Sequence, residues 1–234
     1  MAPFPVGAAV RSDRLADPAY AGLLRRHFDQ ITADWEMKME VVLGRDGRYD
    51  WTKPDRIAGF ARDNGLRLFG HTLIWYAQDP PAFKPLIDRP RAFEAAFRNY
   101  IDAVAGRYAG QAVGWDVVNE AVDDDGVRLR GGYFEQALGL DYIEMAFRQA
   151  HRADPRAVLF LNDYGLERDP TKRRTFIRLA ERLLKAGAPI GGVGTQSHFR
   201  LELDPAKIGV AMRDLAGLGL PIHVSEADVS LGRG

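Results

Sequence analysis

The sequence predicts an α/β fold, a (β/α)8 TIM-type barrel that lacks the eighth βα unit in this chain. Three observations carry that expectation. Short, β-rich apolar runs alternate with helix-period segments along all 234 residues, the order that parallel strands joined by crossover helices require. Polar and aromatic residues gather where at least five of the strand segments end, as they do around a barrel mouth. An open doubly wound sheet would instead concentrate them at one switch point. No Gly-x-Gly-x-x-Gly or phosphate-loop pattern follows the first apolar run, so a nucleotide-binding sheet is disfavoured.

Strands are expected at 6–10, 30–34, 67–75, 112–119, 157–162, 192–198 and 221–225. Between them, Phe93, Phe97, Tyr100, Ile101 and Val104 recur every three or four positions and form one buried helical stripe. Phe176, Leu179, Ala180, Leu183 and Leu184 repeat that pattern, with Gly187 placed to end the helix. Asp204-Pro205 reads as an N-cap followed by a proline in the first turn. Too little sequence follows Asp228 for an eighth unit. The whole chain, residues 1–234, is therefore expected to be one barrel domain, incomplete at its C-terminal end, with its first and seventh strands as open edges.

Composition narrows the function classes. Hydrophobic residues make up 46% and charged residues 27%, ordinary values for a globular protein. Lysine and arginine balance aspartate and glutamate, so nothing in the charge points to nucleic acid or an anionic membrane as partner. The basic run Lys172-Arg173-Arg174 falls on a helix and is expected to be a solvated face. There is no cysteine, hence no thiolate nucleophile, thiolate metal site or disulfide framework. No signal-peptide pattern opens the chain, and no apolar run is long enough to span a bilayer.

The chemistry lies at the strand ends. Glu120 closes Trp115-Asp-Val-Val-Asn-Glu120, and Glu226 follows the seventh strand in Ile222-His-Val-Ser-Glu226-Ala-Asp228. Two carboxylates from different βα repeats, facing one another across a cleft, are the minimum equipment for cleaving a glycosidic bond. Because Asn119 precedes Glu120, an ideal strand would not point both inward, so Glu120 is expected just past the strand end. Asn119 offers an amide to a sugar hydroxyl. Alternation puts Glu226 with Asp228 on one face, and Gln196 with His198 on one face of the preceding strand. A histidine placed between two carboxylates keeps its neighbour ionised. In His71-Thr-Leu-Ile-Trp75-Tyr76, Trp75 offers a platform for a sugar ring and His71 an imidazole for its hydroxyls, although core packing serves Trp75 equally well. Lys38, a lone lysine after the second strand, reads by itself as surface, and Tyr164 as either a sugar contact or a rim residue. His27, His151 and His223 follow no pattern and read as structural or exposed.

Taken together, these segments resemble glycoside hydrolase family 10, the (β/α)8 endo-1,4-β-xylanases. The matching pieces are Gly70-His-Thr-Leu-Ile-Trp75, Trp115-Asp-Val-Val-Asn-Glu120, Leu161-Asn-Asp-Tyr164, Gly192-Gly-Val-Gly-Thr-Gln-Ser-His198 and Ser225-Glu-Ala-Asp228, in family order. The resemblance implies a retaining mechanism with Glu120 as general acid/base and Glu226 as nucleophile, supported by His198 and Asp228. It implies that Asn119 contacts the 2-hydroxyl of the cleaved sugar, and that Lys38, His71, Trp75, Gln196 and Tyr164 line sugar subsites. It also implies a β-1,4-linked polysaccharide substrate, no metal or cofactor, and a secreted or periplasmic location. Three features depart from the family pattern. Trp35 stands where an asparagine is usual, Tyr76 where a histidine is usual, and the tryptophans of the eighth unit are missing. A β-glycan binder without activity and a hydrolase of a different β-linked polysaccharide remain open at this point. A metal-dependent barrel hydrolase is disfavoured because no His-x-His follows the first strand.

Overall fold

A computed structural model describes residues 3–78 and 81–231. Seven parallel strands form one sheet: β1 (Gly7–Val10), β2 (Gln30–Ala33), β3 (Arg67–Trp75), β4 (Ala112–Asn119), β5 (Val158–Asp163), β6 (Gly192–Thr195) and β8 (Ile222–Val224), in that spatial order. The two remaining strands, β7 (His198–Arg200) and β9 (Asp228–Ser230), pair with each other in a separate two-stranded sheet. Among the described residues eight α-helices accompany them: α1 (Pro18–His27), α2 (Met39–Val42), α3 (Thr52–Asp63), α4 (Pro90–Arg107), α5 (Tyr133–Leu138), α6 (Tyr142–Ala153), α7 (Pro170–Lys185) and α8 (Pro205–Ala216).

The sheet is curled like a barrel wall. β3 and β8 are four places apart in the strand order, and at roughly 4.8 Å per strand a flat sheet would hold them about 19 Å apart. Instead, the His223 ring lies 4.3 Å from Phe69, centroid to centroid, and 5.5 Å from Phe160. His223 is thus a half-buried group of the barrel interior, and burial pulls its pKa down. Among the described residues, β1 and β8 each pair on one side only, so the barrel is open there.

Helix ends follow local chemistry. α1, α7 and α8 each begin with an aspartate N-cap and a proline: Asp17-Pro18, Asp169-Pro170 and Asp204-Pro205. Asp17 and Asp169 each accept from two backbone N–H groups of the first turn, and Asp204 accepts from one. Gly187 follows α7 with φ +67°, the left-handed conformation that ends a helix with least strain. The apolar stripe of α4 is fully buried, and Tyr100, Phe97 and Phe93 are among the largest enclosed side chains.

One surface expectation is corrected. Within the basic run on α7, Lys172 and Arg173 are buried. Lys172 Nζ lies 3.0 Å from Asp163 Oδ1, while Arg173 donates to Leu166 O and to Asp214 Oδ2. Both charges have partners inside the fold, so burying them does not leave an isolated cation. Sequence runs show charge but not the carboxylate waiting on another strand.

Candidate active site

The strand ends meet at one mouth of the curled sheet. β4 stops at Asn119, and Glu120 follows in the left-handed region with φ 61°. A non-glycine residue there costs about 1–3 kcal/mol and persists only when its surroundings impose it. Several bonds do so. Glu120 N–H donates to Asn162 O at 2.8 Å, and Arg130 Nε donates to Glu120 O at 3.1 Å. Val122 N–H donates to Asp163 Oδ2 at 2.9 Å. The turn lets Asn119 and Glu120 both face the same chamber, which strict alternation along a strand forbids.

Amide groups then join the two glutamates. Asn119 Nδ2 donates to Glu120 Oε1 at 3.2 Å, and Gln196 Nε2 donates to the same oxygen at 2.9 Å. Asn162 Nδ2 donates to Asn119 Oδ1 at 2.9 Å and to Glu226 Oε1 at 3.0 Å. Ser225 Oγ donates to Asn162 Oδ1 at 2.9 Å, which fixes the orientation of that amide. Gly194 on β6 is part of the design, because a Cβ there would sit 2.3 Å from Asn162 Oδ1. Asn162 is one residue of this site that the sequence alone does not single out. Its signal was its position opposite Asn119 at the end of the next strand.

On the far side of Glu226, His198 Nε2 lies 3.4 Å from Glu226 Oε2, and His198 Nδ1 lies 2.9 Å from Asp228 Oδ2. The route to this contact differs from the one expected. Gln196 and His198 do not share a strand face, since β6 ends at Thr195 and Ser197 takes a left-handed φ of 59°. Gln196 turns toward Glu120, whereas His198 opens β7 and pairs in register with Asp228 of β9. Ser197 is held in place as its Oγ donates to the buried Glu167 at 2.7 Å.

The β2 and β3 ends supply a cationic and aromatic wall. Lys38 Nζ lies between two indoles, 4.5 Å from the Trp35 ring centroid and 4.8 Å from that of Trp75. Burial lowers its pKa, opposed by the charges of Glu226, Asp34 and Glu120. Trp35 is 46% exposed and Tyr76 37%. His71 is buried, with Nδ1 2.8 Å from Asp116 Oδ2. Asp116 is therefore an internal partner of His71 and not a solvated strand end.

Burial depresses the His71 pKa, but the hydrogen bond and charge of Asp116 outweigh it and leave it raised. A histidine whose folded-state pKa exceeds the unfolded one contributes stability at low pH, and loses it as pH rises through the folded value. Asp116→Asn should therefore destabilise the fold by about 1–3 kcal/mol below the ordinary histidine pKa, and by less above the raised one. Melting temperatures of both proteins between mildly acidic and mildly alkaline pH check this. A deficit that grows toward alkaline pH would contradict it.

Tyr164 sits apart from the amide chain. Its hydroxyl donates to Asp124 and accepts from Arg130 Nη2 at 3.0 Å. Arg130 also stacks 4.0 Å over the Tyr76 ring centroid. Arg130 thus straps the Glu120 turn to both tyrosines, a role invisible in sequence because its partners come from three segments. Beneath Tyr164, burial pushes Asp163 up to about 6, against the opposing charge of Lys172. Among the described residues, no group of three or more His, Asp and Glu side chains has the arrangement to hold a metal ion, and no helix is long and apolar enough to cross a membrane.

The family model for glycosyl hydrolase family 10 matches residues 2–233. The chain belongs to glycosyl hydrolase family 10. Endo-1,4-beta-xylanase B of Paenibacillus barcinonensis is 37% identical over 237 residues, covering 98% of this chain and 70% of the relative. Exoglucanase XynX of Acetivibrio thermocellus is 35% identical over 97% of this chain, which spans only 22% of that relative's length. Among solved structures, the intracellular xylanase TsXylA of Thermoanaerobacterium saccharolyticum, as a mutant in complex with xylotetraose, superposes with a TM-score of 0.93. It is 33% identical, and the match covers 99% of this chain and 75% of that one. The seven parallel strands of this family 10 chain are thus seven of the eight in a (β/α)8 barrel.

Proposed function

We propose that this chain cleaves internal β-1,4-xylosidic bonds of xylan with retention of anomeric configuration. The observation that carries the proposal is the run of amides linking Glu120 to Glu226 through Asn119 and Asn162. It sets two carboxylates from different strands over one space. Glu226 attacks the anomeric carbon and forms an ester bond to it as the bond to the leaving oxygen breaks. Glu120 gives that oxygen its proton. Glu120, now ionised, takes a proton from water, the water oxygen bonds to the anomeric carbon, and Glu226 leaves as a carboxylate. His198, between Glu226 and Asp228, holds the nucleophile in orientation. Asn119 and Gln196 orient Glu120 and face the sugar hydroxyls, while Lys38, His71, Trp75 and Tyr164 line the cleft around the sugar chain.

Two features favour a related glycan as a second reading: the exposed Trp35 indole at the cleft rim, and a relative named as an exoglucanase. Both readings share the same chemistry. Proton NMR of freshly formed product separates retention from inversion. The β-anomer should appear first from xylan and equilibrate afterward, whereas initial α-anomer, or no reducing ends from xylan, would overturn the proposal.

A further inference from the structure

The two glutamates reach the cleft by different backbone routes. Glu226 follows β8 without a left-handed turn, whereas Glu120 and Ser197 are, among the described residues, the non-glycine residues with positive φ. A left-handed residue stays in place only when its neighbours hold it there. The direction of the Glu120 carboxyl therefore depends on how firmly the peptides after β4 are tied down.

Beyond the turn the chain runs out and back. Arg130 N–H donates to Ala121 O at 2.7 Å and Asp123 N–H donates to Arg128 O at 2.9 Å, so residues 121–130 form a short antiparallel loop. Those backbone bonds close the loop without the Arg130 side chain. What the side chain adds is a tie to Glu120 itself. It is buried, with Nε donating to Glu120 O at 3.1 Å and Nη2 lying 3.1 Å from Val122 O. One planar group thus receives the carbonyls on both sides of Ala121, two peptides that the sheet has released. Nη2 also lies 2.9 Å from Asp124 Oδ1 and 3.0 Å from the Tyr164 hydroxyl, and the guanidinium carbon sits 4.0 Å over the Tyr76 ring centroid. A lysine would not reproduce this, because its ammonium has neither a fork nor a stacking plane.

We infer that Arg130 is a positioning residue for the acid/base Glu120, with Tyr76 as the platform that holds its guanidinium plane. Arg130 touches no reacting atom. By clamping the Glu120 and Val122 carbonyls it fixes the peptide that follows Glu120. That sets the angle at which the carboxyl meets the leaving oxygen and, in the second step, the water. Proton transfer tolerates little misplacement, and a shift of about 1 Å costs on the order of 10²-fold in rate. The inference rests on the proposed function for the role of Glu120.

Arg130→Lys and Tyr76→Leu are compared with the parent protein on aryl xylobiosides whose phenols range from weakly to strongly acidic. In Arg130→Lys, kcat/KM should fall by roughly 10- to 100-fold for the least acidic phenol, and by less than about threefold for the most acidic one, which leaves without a proton. Tyr76→Leu keeps the hydrogen bonds and should show the same gradation with a smaller loss. With the most acidic phenol, azide should raise kcat of Arg130→Lys more than that of the parent, since azide attacks the glycosyl-enzyme without needing a base. An equal loss across all phenols in Arg130→Lys would overturn the inference, because that marks a merely structural role, and so would an Arg130→Lys protein as active as the parent. A graded Arg130→Lys beside an ungraded Tyr76→Leu would overturn the platform role of Tyr76. Melting temperatures show whether the fold is kept; if Arg130→Lys does not fold, Tyr76→Leu decides by the same criterion. A parent protein that cleaves neither xylan nor any aryl xylobioside would fail the proposed function and this inference with it. An active parent with an ungraded loss in the variants would fail the inference alone.

Discussion

Under the proposed mechanism, Glu226→Ala is expected to lower kcat on xylan by on the order of 10⁵-fold, about 7 kcal/mol of transition-state stabilisation. The size follows from the role. Without the carboxylate there is no covalent intermediate, and water in its place is a far weaker nucleophile toward the anomeric carbon. His198 and Asp228 remain, but His198 lies against Glu226 and Asp228 against His198, so in the proposed mechanism neither replaces the lost nucleophile. Azide fits the volume the carboxylate vacates and attacks the same face of the sugar. Turnover of an activated aryl xylobioside then returns, with the product a glycosyl azide of inverted, α configuration. A variant that keeps more than a tenth of wild-type activity, or an azide product of β configuration, would remove Glu226 from the nucleophile's role.

Glu120→Ala is expected to give a loss of similar order on xylan and a different pattern on activated substrates. In the proposed mechanism the poor leaving group of xylan needs the proton Glu120 carries, so cleavage of the polymer should fall by roughly 10⁴-fold or more. An aryl xylobioside with an acidic phenol leaves without that proton, so the first step survives. The second step then lacks its base, the glycosyl-enzyme accumulates, and KM falls together with kcat. Azide intercepts that intermediate and gives a β-azide, because the sugar has been inverted twice. The contrast in azide stereochemistry assigns the two carboxylates separately. Equal losses on xylan and on the activated aryl substrate would refute the acid/base role of Glu120.

Sequence and structure divide the explanation unevenly. Of the expected strands, 67–75 and 112–119 match their observed bounds, and four others differ by one residue at one or both ends. Long strands buried on both faces leave a near-continuous apolar run, and its length and flanking residues separate it from a buried helix. The expected strand 192–198 splits, however, into β6 and β7. Ser197 takes a left-handed φ there, and β9 supplies a partner for the detached piece. Local propensity holds no record of that partner, which lies thirty residues away at the mouth of the barrel.

The site shows the same division. Glu120 and Glu226 stand out because a carboxylate ending a buried strand is costly unless it is used. Lys38, His71 and Trp75 stand out as polar or aromatic groups at strand ends. Asn162, Arg130, Asp116 and the Asp163–Lys172 pair do not. Their roles consist entirely of what they bond to, and each partner comes from another strand or loop.

The amino-acid order alone was enough to specify the alternation of strands and helices, the barrel class and the two acids at its mouth. Those depend on periodicity and on residue types within single segments. Only the folded chain decided that Asn119 and Glu120 face one chamber, that His198 reaches Glu226 from β7, and that Lys172 is an internal cation. Each of these follows from a backbone turn or a buried charge that is stable only when distant segments supply its hydrogen bonds, and such compensation exists in three dimensions and not along the chain.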